Sequence, residues 1–328
     1  MKDKRAVVFH QGALGDFLIA AGAVDELAQV AGFTRIDFWS KPEHVSLLAE
    51  KTYLGKCQPY DCPLAAALLD EESSRSAILP DFLREAHTVF IFGQASSRFM
   101  AQNLSRLLDA EVHWIRSFPG PNDPREHVCR FLQKQFLSLG LPLEGKPLKL
   151  EPSASRKDAA LALLCRFGLE KRPVFIHPGS GGRRKVWPLS NWLALIEWVH
   201  RELRAPVLLS IGPADQFMNP LAQAVSQWAI PLLRGLSGPA LSALLSLCPV
   251  YIGSDSGVSH LAAAVGVPAL TVFGPTDPHV WAPGGNRAMA LRRKWDYEDL
   301  SKWASVEKEC FEDEEIIHFL KNNFGRGG

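Results

Sequence analysis

A short polar turn between two apolar stretches is the part of this chain best suited to chemistry. The turn reads Asp255-Ser256-Gly257, between the strand-like runs Val250–Gly253 and Ala269–Phe273, and an alanine-rich helical pattern follows it at Ser259–Val265. The first N–H groups of a helix have no partner within the helix, and the helix dipole makes that end positive, so anions bind there. Glycine allows a ligand to approach the backbone, and serine offers a hydroxyl. The turn therefore suits a phosphate, with a simple helix cap as the alternative.

A second glycine-rich turn carries three cations. The apolar strand Pro173–His177 leads into Pro178–Gly182, then into Arg183-Arg184-Lys185 and Val186-Trp187-Pro188. Such a loop leaves the carboxyl end of a strand, where open α/β sheets bind ligands. We interpret Arg183 and Arg184 as solvated surface, whereas the Trp-Pro pair should stiffen the loop and restrict the Lys185 ammonium. Two anion-seeking loops in one half of the chain predict a diphosphate ligand, such as a nucleotide.

Strand and helix patterns alternate along both halves of the chain, which is typical of parallel sheets. The predicted strands are Ala6–His10, Arg35–Ser40, Thr88–Gly93, Val112–Ser117, Pro173–His177, Pro206–Ile211, Pro231–Leu233, Val250–Gly253 and Ala269–Phe273. The predicted helices, besides Ser259–Val265, are Gly15–Val30, His44–Glu50, Ser97–Leu108, Glu126–Leu139, Trp192–Leu203, Phe217–Trp228 and Pro239–Leu247. The fold class is therefore α/β.

The polar, proline-containing stretch Pro142–Ser155 is the predicted linker between two domains. A chain of 328 residues is a natural length for two domains. We predict a first Rossmann-like domain over residues 1–150 and a second over residues 156–311, with their parallel sheets facing one another across a cleft. Glu312–Phe324 is an amphipathic helix candidate.

Composition describes an ordinary globular protein and excludes several classes. With 36 Lys plus Arg against 35 Asp plus Glu, the chain lacks the basic excess that nucleic-acid binding needs. No apolar run approaches the length of a membrane span, and the first residues lead into a strand rather than a signal peptide. The six cysteines are spread out, so neither a disulfide scaffold nor a zinc site is predicted, and a reducing cytoplasm is the expected location.

Four motifs in order resemble a known family. They are GALGDFLIA (Gly12–Ala20), HPGSGGRRKVWP (His177–Pro188), DSGVSHLAAAVGVP (Asp255–Pro268) and FGPTDP (Phe273–Pro278). The chain resembles the ADP-heptose:lipopolysaccharide heptosyltransferases, which are glycosyltransferases of the GT-B type, from about Val7 to Pro283. The last two motifs are the specific ones, whereas a single G-x-x-G-D would be weak evidence.

The resemblance implies an inverting transfer of a sugar, with heptose expected, from an ADP-sugar to a lipopolysaccharide core or related glycan. It makes Asp16 the general base that deprotonates the acceptor hydroxyl, with Gly12 and Gly15 beside it. By itself, an aspartate in a helix's first turn only complements the dipole. The resemblance also implies that helix 312–324 packs back on the first domain. We expect no metal and no cofactor, because the ADP-sugar is a substrate and no Asp-x-Asp pair is present.

Carried over position by position, the resemblance also identifies a donor site. Ser180 and Lys185 would contact the ADP phosphates, Ser256 and Gly257 would form the phosphate cradle, and Asp255 would meet hydroxyls of the donor sugar. Asp215, in the turn Gly212-Pro213-Ala214-Asp215, would accept hydrogen bonds from the ribose hydroxyls. Gly181 and His260 complete the predicted donor site, and for His260 a structural role stays open.

The chain departs from the family in its first loop, and other functions remain open. Many relatives place a basic residue just before the G-D pair, whereas this loop reads His10-Gln11-Gly12-Ala13. That departure concerns the acceptor, a glycolipid or oligosaccharide, whose use would bring the protein into peripheral contact with the inner membrane surface. A sugar-nucleotide epimerase and a catalytically silent nucleotide-sugar-binding protein are the alternatives. An oxidoreductase is disfavoured because the G-x-G-x-x-G spacing is missing.

Overall fold

The computed structural model describes residues 3–212, 215–306 and 310–324, apart from the side chains of Leu300 and Lys302. The chain forms two compact units, the first ending at Leu148 and the second beginning at Lys149. This boundary lies inside the stretch predicted as the linker.

The first unit is built on a five-stranded sheet in the order β3-β2-β1-β4-β5. All its strand pairs are parallel, as the alternating pattern predicts. The sequence pattern missed β3 because its residues are half-buried or exposed and show no apolar alternation. The strands are β1 (Arg5–His10), β2 (Arg35–Ser40), β3 (Leu54–Pro59), β4 (Thr88–Gly93) and β5 (Glu111–Arg116).

Seven α-helices accompany this sheet in the described residues: α1 (Leu14–Val30), α2 (Pro42–Val45), α3 (Pro63–Ala67), α4 (Glu71–Arg75), α5 (Asp81–Arg84), α6 (Ser97–Leu107) and α7 (Val128–Ser138). The helix predicted over His44–Glu50 is instead α2 followed by a 3-10 turn, Ser46–Leu48. Helix α1 also holds the end of the unit, because the buried Glu26 carboxylate accepts hydrogen bonds from the Glu144 and Lys146 N–H groups, each at 2.6 Å.

The second unit is built on a six-stranded parallel sheet in the order β11-β10-β9-β6-β7-β8. Strand β11 is a partly buried edge strand that the sequence pattern did not reveal. The strands are β6 (Val174–His177), β7 (Val207–Ser210), β8 (Leu232–Leu233), β9 (Val250–Ser254), β10 (Ala269–Phe273) and β11 (Ala288–Arg292). Together with the first sheet, they confirm the α/β prediction.

The described α-helices of the second unit are α8 (Ala154–Arg166), α9 (Leu189–Arg201), α10 (Asn219–Val225), α11 (Gly238–Leu247), α12 (Gly257–Ala264), α13 (Pro278–Trp281), α14 (Leu300–Ala304) and α15 (Glu314–Phe324). None of the helices in the described residues is long and apolar enough to cross a bilayer.

The apolar face of helix α15 is buried in the second unit. The resemblance implies that helix 312–324 packs on the first domain, but Ile316, Phe319 and Leu320 lie in the hydrophobic core of the second unit. Their i, i+3, i+4 spacing forms one apolar face, and that face buries against the second sheet. Arg293, just after β11, anchors the helix start through Asp313, with its Nε 2.8 Å from the carboxylate oxygen.

Each sheet has one position where the chain reverses its direction of strand addition. In the first sheet this position lies between β1 and β4, and in the second between β6 and β9. The loops that leave the carboxyl ends of such strands diverge and leave a crevice, which is where open α/β sheets bind ligands. The loop after β1 leads into the first turn of α1, which contains Asp16, and the loops after β6 and β9 are the two predicted phosphate turns.

Candidate active site

Asp16 lies where the sequence predicts it, in the first turn of α1, directly after the loop that leaves β1. Its side chain is half-buried, and its Oδ2 accepts a hydrogen bond from the Ala13 N–H at 3.2 Å. Glycine is needed at position 12 for a steric reason. A Cβ there would come within 2.8 Å of both Asp16 Cβ and His10 Cε1. The loop thus packs tightly around the carboxylate and fixes its position.

A cavity of about 440 Å³ opens beside Asp16 at the carboxyl edge of the first sheet. Residues that follow each of the five strands line it, and most of them can donate or accept hydrogen bonds. They include Gln11, Gly12, Asp16, Lys41, Tyr60, Asp61, Gln94, Ser97 and Ser117. These side chains could hydrogen-bond to the hydroxyl groups of a ligand bound in the cavity.

Lys41 places a cation on this cavity, whereas the loop after β1 contributes none. His10 ends β1 with its ring buried between Phe17 and Phe92. Burial, helped by the nearby His44 and Lys41, lowers the pKa of His10 to about 4, so His10 is neutral at pH 7. Lys41 follows β2 and lines the cavity. Sequence analysis missed Lys41, although its place directly after a predicted strand was a usable signal.

In the second unit, hydrogen bonds join the loop after β6 to the last residue of β9 and to the loop that follows it. The Ser180 hydroxyl donates to the Asp255 carbonyl at 2.6 Å, and the Ser254 hydroxyl donates to the Pro178 carbonyl at 2.7 Å. Both hydroxyls are buried. The two predicted phosphate turns therefore form one structure, which we call the cradle, made of residues 178–185 and 255–257.

An ion pair within the cradle involves two predicted site residues. Lys185 Nζ lies 3.2 Å from Asp255 Oδ2, and the Thr276 hydroxyl donates to the same oxygen at 2.7 Å. The Asp255 side chain is 8% exposed, whereas that of Lys185 is 36% exposed, so the ammonium also reaches solvent. The sequence analysis did not identify Thr276 as a site residue, although it lies in the FGPTDP motif.

The loop around Lys185 is anchored in the core by the residues that follow it. Arg183–Lys185 form a 3-10 turn, and the Val186 and Trp187 side chains that follow are buried in the core. The Trp303 indole donates to the Val186 carbonyl at 2.9 Å. The interpretation of Arg183 as purely solvated was incomplete, since its guanidinium stacks 5.3 Å from the Trp303 ring.

The start of α12 completes the cradle. Ser256 is its N-cap residue and Gly257 its first residue. The Ser256 hydroxyl oxygen is buried and has no hydrogen-bond partner in the described part of the chain, which is rare for a buried polar atom. Because the hydroxyl and the first N–H groups of α12 lie at the same helix end, an anion bound there would satisfy both. His260 is half-buried in the first turn of this helix.

Gly181 leaves open space above the cradle. A Cβ built on this residue would meet no atom of the described residues within 4 Å, and the residue is exposed. A ligand can therefore approach the backbone there.

Asp215 differs from its predicted environment. Its side chain is buried, and its two oxygens accept hydrogen bonds from the Ser180 N–H at 3.1 Å and the Gly212 N–H at 3.0 Å. Burial raises the pKa of this carboxyl, and the two backbone hydrogen bonds oppose that rise. The carboxylate thus faces the backbone of two loops. Pro213 and Ala214 of the predicted turn lie outside the described residues.

Within the described ranges, no group of three or more His, Cys, Asp or Glu side chains is placed to hold a metal ion. The cradle instead presents an ammonium, a hydroxyl and a helix N-terminus. These groups recognise anions directly.

Comparison with known proteins identifies the family. The model of glycosyltransferase family 9 (heptosyltransferase) matches residues 66–310. Lipopolysaccharide heptosyltransferase 3 of Escherichia coli is 25% identical over 312 residues, covering 87% of this chain and 88% of the relative. Lipopolysaccharide heptosyltransferase 1 of Salmonella typhimurium is 29% identical over 171 residues, covering 51% of this chain and 52% of the relative.

Solved structures agree in fold. The glycosyltransferase family 9 protein of Veillonella parvula has a TM-score of 0.73 at 18% identity, covering 98% of this chain and 97% of that one. The ADP-heptose lipopolysaccharide heptosyltransferase II of Escherichia coli has a TM-score of 0.67 at 18% identity, covering 97% of this chain and 99% of that one. These matches confirm the GT-B fold. With the family model covering most of the chain, this protein belongs to glycosyltransferase family 9, the heptosyltransferase family.

Proposed function

We propose that this glycosyltransferase moves a heptose from an ADP-heptose donor to a lipopolysaccharide core or related glycan acceptor, with inversion at the anomeric carbon. Support comes from the family and from its curated relatives, which are named as lipopolysaccharide heptosyltransferases. The acceptor is a glycolipid or oligosaccharide. Such an enzyme would act in the cytoplasm, in peripheral contact with the inner membrane surface where a glycolipid acceptor is anchored.

The observation that carries the proposal is the cradle. The unpartnered Ser256 hydroxyl, the start of α12 and the partly exposed Lys185 ammonium offer three kinds of anion contact in one place. A diphosphate has enough oxygens to use all three. Preorganised donors of this kind stabilise the negative charge that grows on a nucleoside diphosphate as it leaves.

In this proposal Asp255 has two roles. Its Oδ2 accepts from Lys185 and Thr276, which holds the ammonium beside the phosphates. No hydrogen bond within the described part of the chain involves its Oδ1, so this oxygen can accept from hydroxyls of the donor sugar. His260, in the first turn of α12, then lies at the diphosphate end of the site.

Asp16 acts as the general base on the acceptor. One of its oxygens is held by the Ala13 N–H, and the side chain borders the polar cavity of the first unit. The acceptor hydroxyl gives its proton to Asp16 as its oxygen bonds to the anomeric carbon, and the bond to ADP breaks with its electron pair leaving on the diphosphate. General bases of this kind contribute roughly 10²–10⁴-fold to a rate.

We also propose that transfer needs neither metal nor cofactor. The cation that would neutralise the leaving diphosphate is Lys185, assisted by the helix dipole. Activity should therefore survive EDTA treatment.

The test is a donor panel with a defined product. Purified protein is incubated with ADP-heptose, ADP-glucose, UDP-glucose or GDP-mannose and a heptose-deficient lipopolysaccharide core, and the core is analysed by mass spectrometry. We expect a mass gain of one heptose from ADP-heptose alone, with inverted anomeric configuration by NMR. Thermal stabilisation by ADP, about 2.7 kcal/mol at a hundredfold excess over Kd, should exceed that by UDP, GDP or NAD. Equal thermal stabilisation by UDP and ADP would contradict the proposal, and so would release of free sugar without transfer.

A further inference from the structure

The surroundings of Asp215 point to a different role from ribose binding. Among the described residues of the second unit, it is the carboxylate that joins the loop after β6 to the loop after β7. Its Oδ1 accepts from the Ser180 N–H at 3.1 Å, and its Oδ2 accepts from the Gly212 N–H at 3.0 Å. These loops come from neighbouring strands, whose residues pair at Ile176 and Leu209.

The carboxylate of Asp215 packs closely against its described neighbours. Cβ atoms built on Gly179 and Gly212 would both collide with the Asp215 carboxylate, so the two glycines make space for it. On its other side lies the buried His177, whose Nε2 is 4.0 Å from Asp215 Oδ2. His177 is itself fixed by a 3.1 Å hydrogen bond between its Nδ1 and the Ser210 carbonyl. The carboxylate is therefore enclosed by protein, and only 4% of the residue is exposed.

Asp215 also acts on the cradle through Ser180. The Ser180 N–H is held by Asp215, and the Ser180 hydroxyl is held by the Asp255 carbonyl at 2.6 Å. Ser180 is thus fixed from both sides, between the loop after β7 and the loop after β9. Removing the Asp215 carboxylate would release one side and leave two buried N–H groups without their acceptor.

We propose that Asp215 is a positioning residue that holds the cradle loop in its diphosphate-binding shape, and that it does not bind the ribose of the donor. The geometry requires a charged group with two acceptor oxygens. Asparagine offers one acceptor oxygen and one NH₂ donor, so it can satisfy only one of the two backbone N–H groups. Glutamate is one methylene longer and would overfill the space that Gly179 and Gly212 leave.

The first experiment needs no nucleotide. Hydrogen exchange is measured by mass spectrometry on the full-length, ligand-free protein, on peptides that contain Ser180 and Gly212. Asp215→Asn, Asp215→Ala and Asp215→Glu should each speed exchange at one or both amides by about tenfold or more, because a hydrogen bond to a charged acceptor is lost. Asp70→Asn is the matched control. Asp70 also accepts from a backbone N–H, that of Ser73 at 2.8 Å, but lies in the first unit. Unchanged exchange at both amides in all three Asp215 variants would overturn the proposal.

The second experiment separates positioning from ribose contact and rests on the proposed function, since it uses ADP binding. Affinities for ADP, 2′-deoxy-ADP, 3′-deoxy-ADP and adenosine are measured for wild type, Asp215→Asn and Asp215→Glu. A positioning residue gives the same fold-loss for all three diphosphates and a smaller loss for adenosine. A ribose ligand gives a loss that disappears when the contacted hydroxyl is absent, and Asp215→Glu would then retain affinity. If wild type binds no ADP, the proposed function fails, whereas the exchange data still decide the role of Asp215.

Discussion

Replacing Asp16 with asparagine tests the chemistry most directly, because the two side chains have nearly the same size. The asparagine oxygen can still accept from the Ala13 N–H, whose present distance to Asp16 Oδ2 is 3.2 Å. The loss in folding stability should therefore be limited to the interaction of a carboxylate with the α1 dipole, about 0.3–1 kcal/mol. A lost general base costs roughly 10²–10⁴-fold in rate, or about 3–5 kcal/mol in the barrier. The two effects are well separated in size.

The assay compares kcat for heptose transfer at saturating donor and acceptor with ADP affinity measured by calorimetry. Asp16→Asn should lower kcat by at least about a hundredfold and leave the Kd for ADP within about twofold, because the cradle consists of residues of the second unit. Asp61→Asn is the matched control, since Asp61 is another carboxylate on the same cavity. We expect its kcat to change by less than about tenfold. The base assignment fails if Asp16→Asn keeps more than a tenth of wild-type kcat, or if both variants lose the same amount.

Three further results are expected. Lys185→Ala should weaken ADP binding by about 10- to 100-fold in calorimetry, because a hydrogen bond to a charged phosphate is lost. Gly179→Ala should destabilise the protein by about 1–3 kcal/mol in urea unfolding, because its methyl group would collide with the Asp215 carboxylate. Burial lowers the pKa values of His10 and His177 to about 4, so unfolding, which restores ordinary pKa values, takes up protons between about pH 6.5 and 4. Stability should fall with decreasing pH in that window, by up to about 1.4 kcal/mol per pH unit for each histidine.

Each of these has a control. Arg184 is exposed and stacks on Tyr297, 5.4 Å from its ring, so Arg184→Ala should leave ADP binding nearly unchanged. A comparable loss of ADP affinity in Arg184→Ala would show that general positive charge, rather than Lys185, attracts the nucleotide.

Gly181→Ala should change the free energy of unfolding very little, because the described residues leave open space around this glycine. His10→Phe removes one titrating ring from an aromatic environment, and its stability should depend less steeply on pH than that of wild type. An unchanged slope would show that His10 does not contribute.

The sequence by itself determined the local units. An apolar run followed by a glycine-containing turn and a helical pattern placed Asp16 and Ser256 at the starts of helices, because each of these features depends on neighbouring residues only. The family followed from the same motifs. The edge strands β3 and β11 escaped detection because edge strands are only partly buried and need no regular apolar alternation.

Only the tertiary structure decided what the polar side chains do. Ser180 lies 35 residues from Asp215 and 75 from Asp255, and the three meet because β9, β6 and β7 are neighbours in the sheet. Strand order is set by the packing of the whole unit, and no local pattern encodes it. Asp215 could therefore be placed after a strand from sequence, but the two backbone N–H groups that its carboxylate holds could not. The same holds for Lys41, which reaches the Asp16 cavity because β2 lies beside β1.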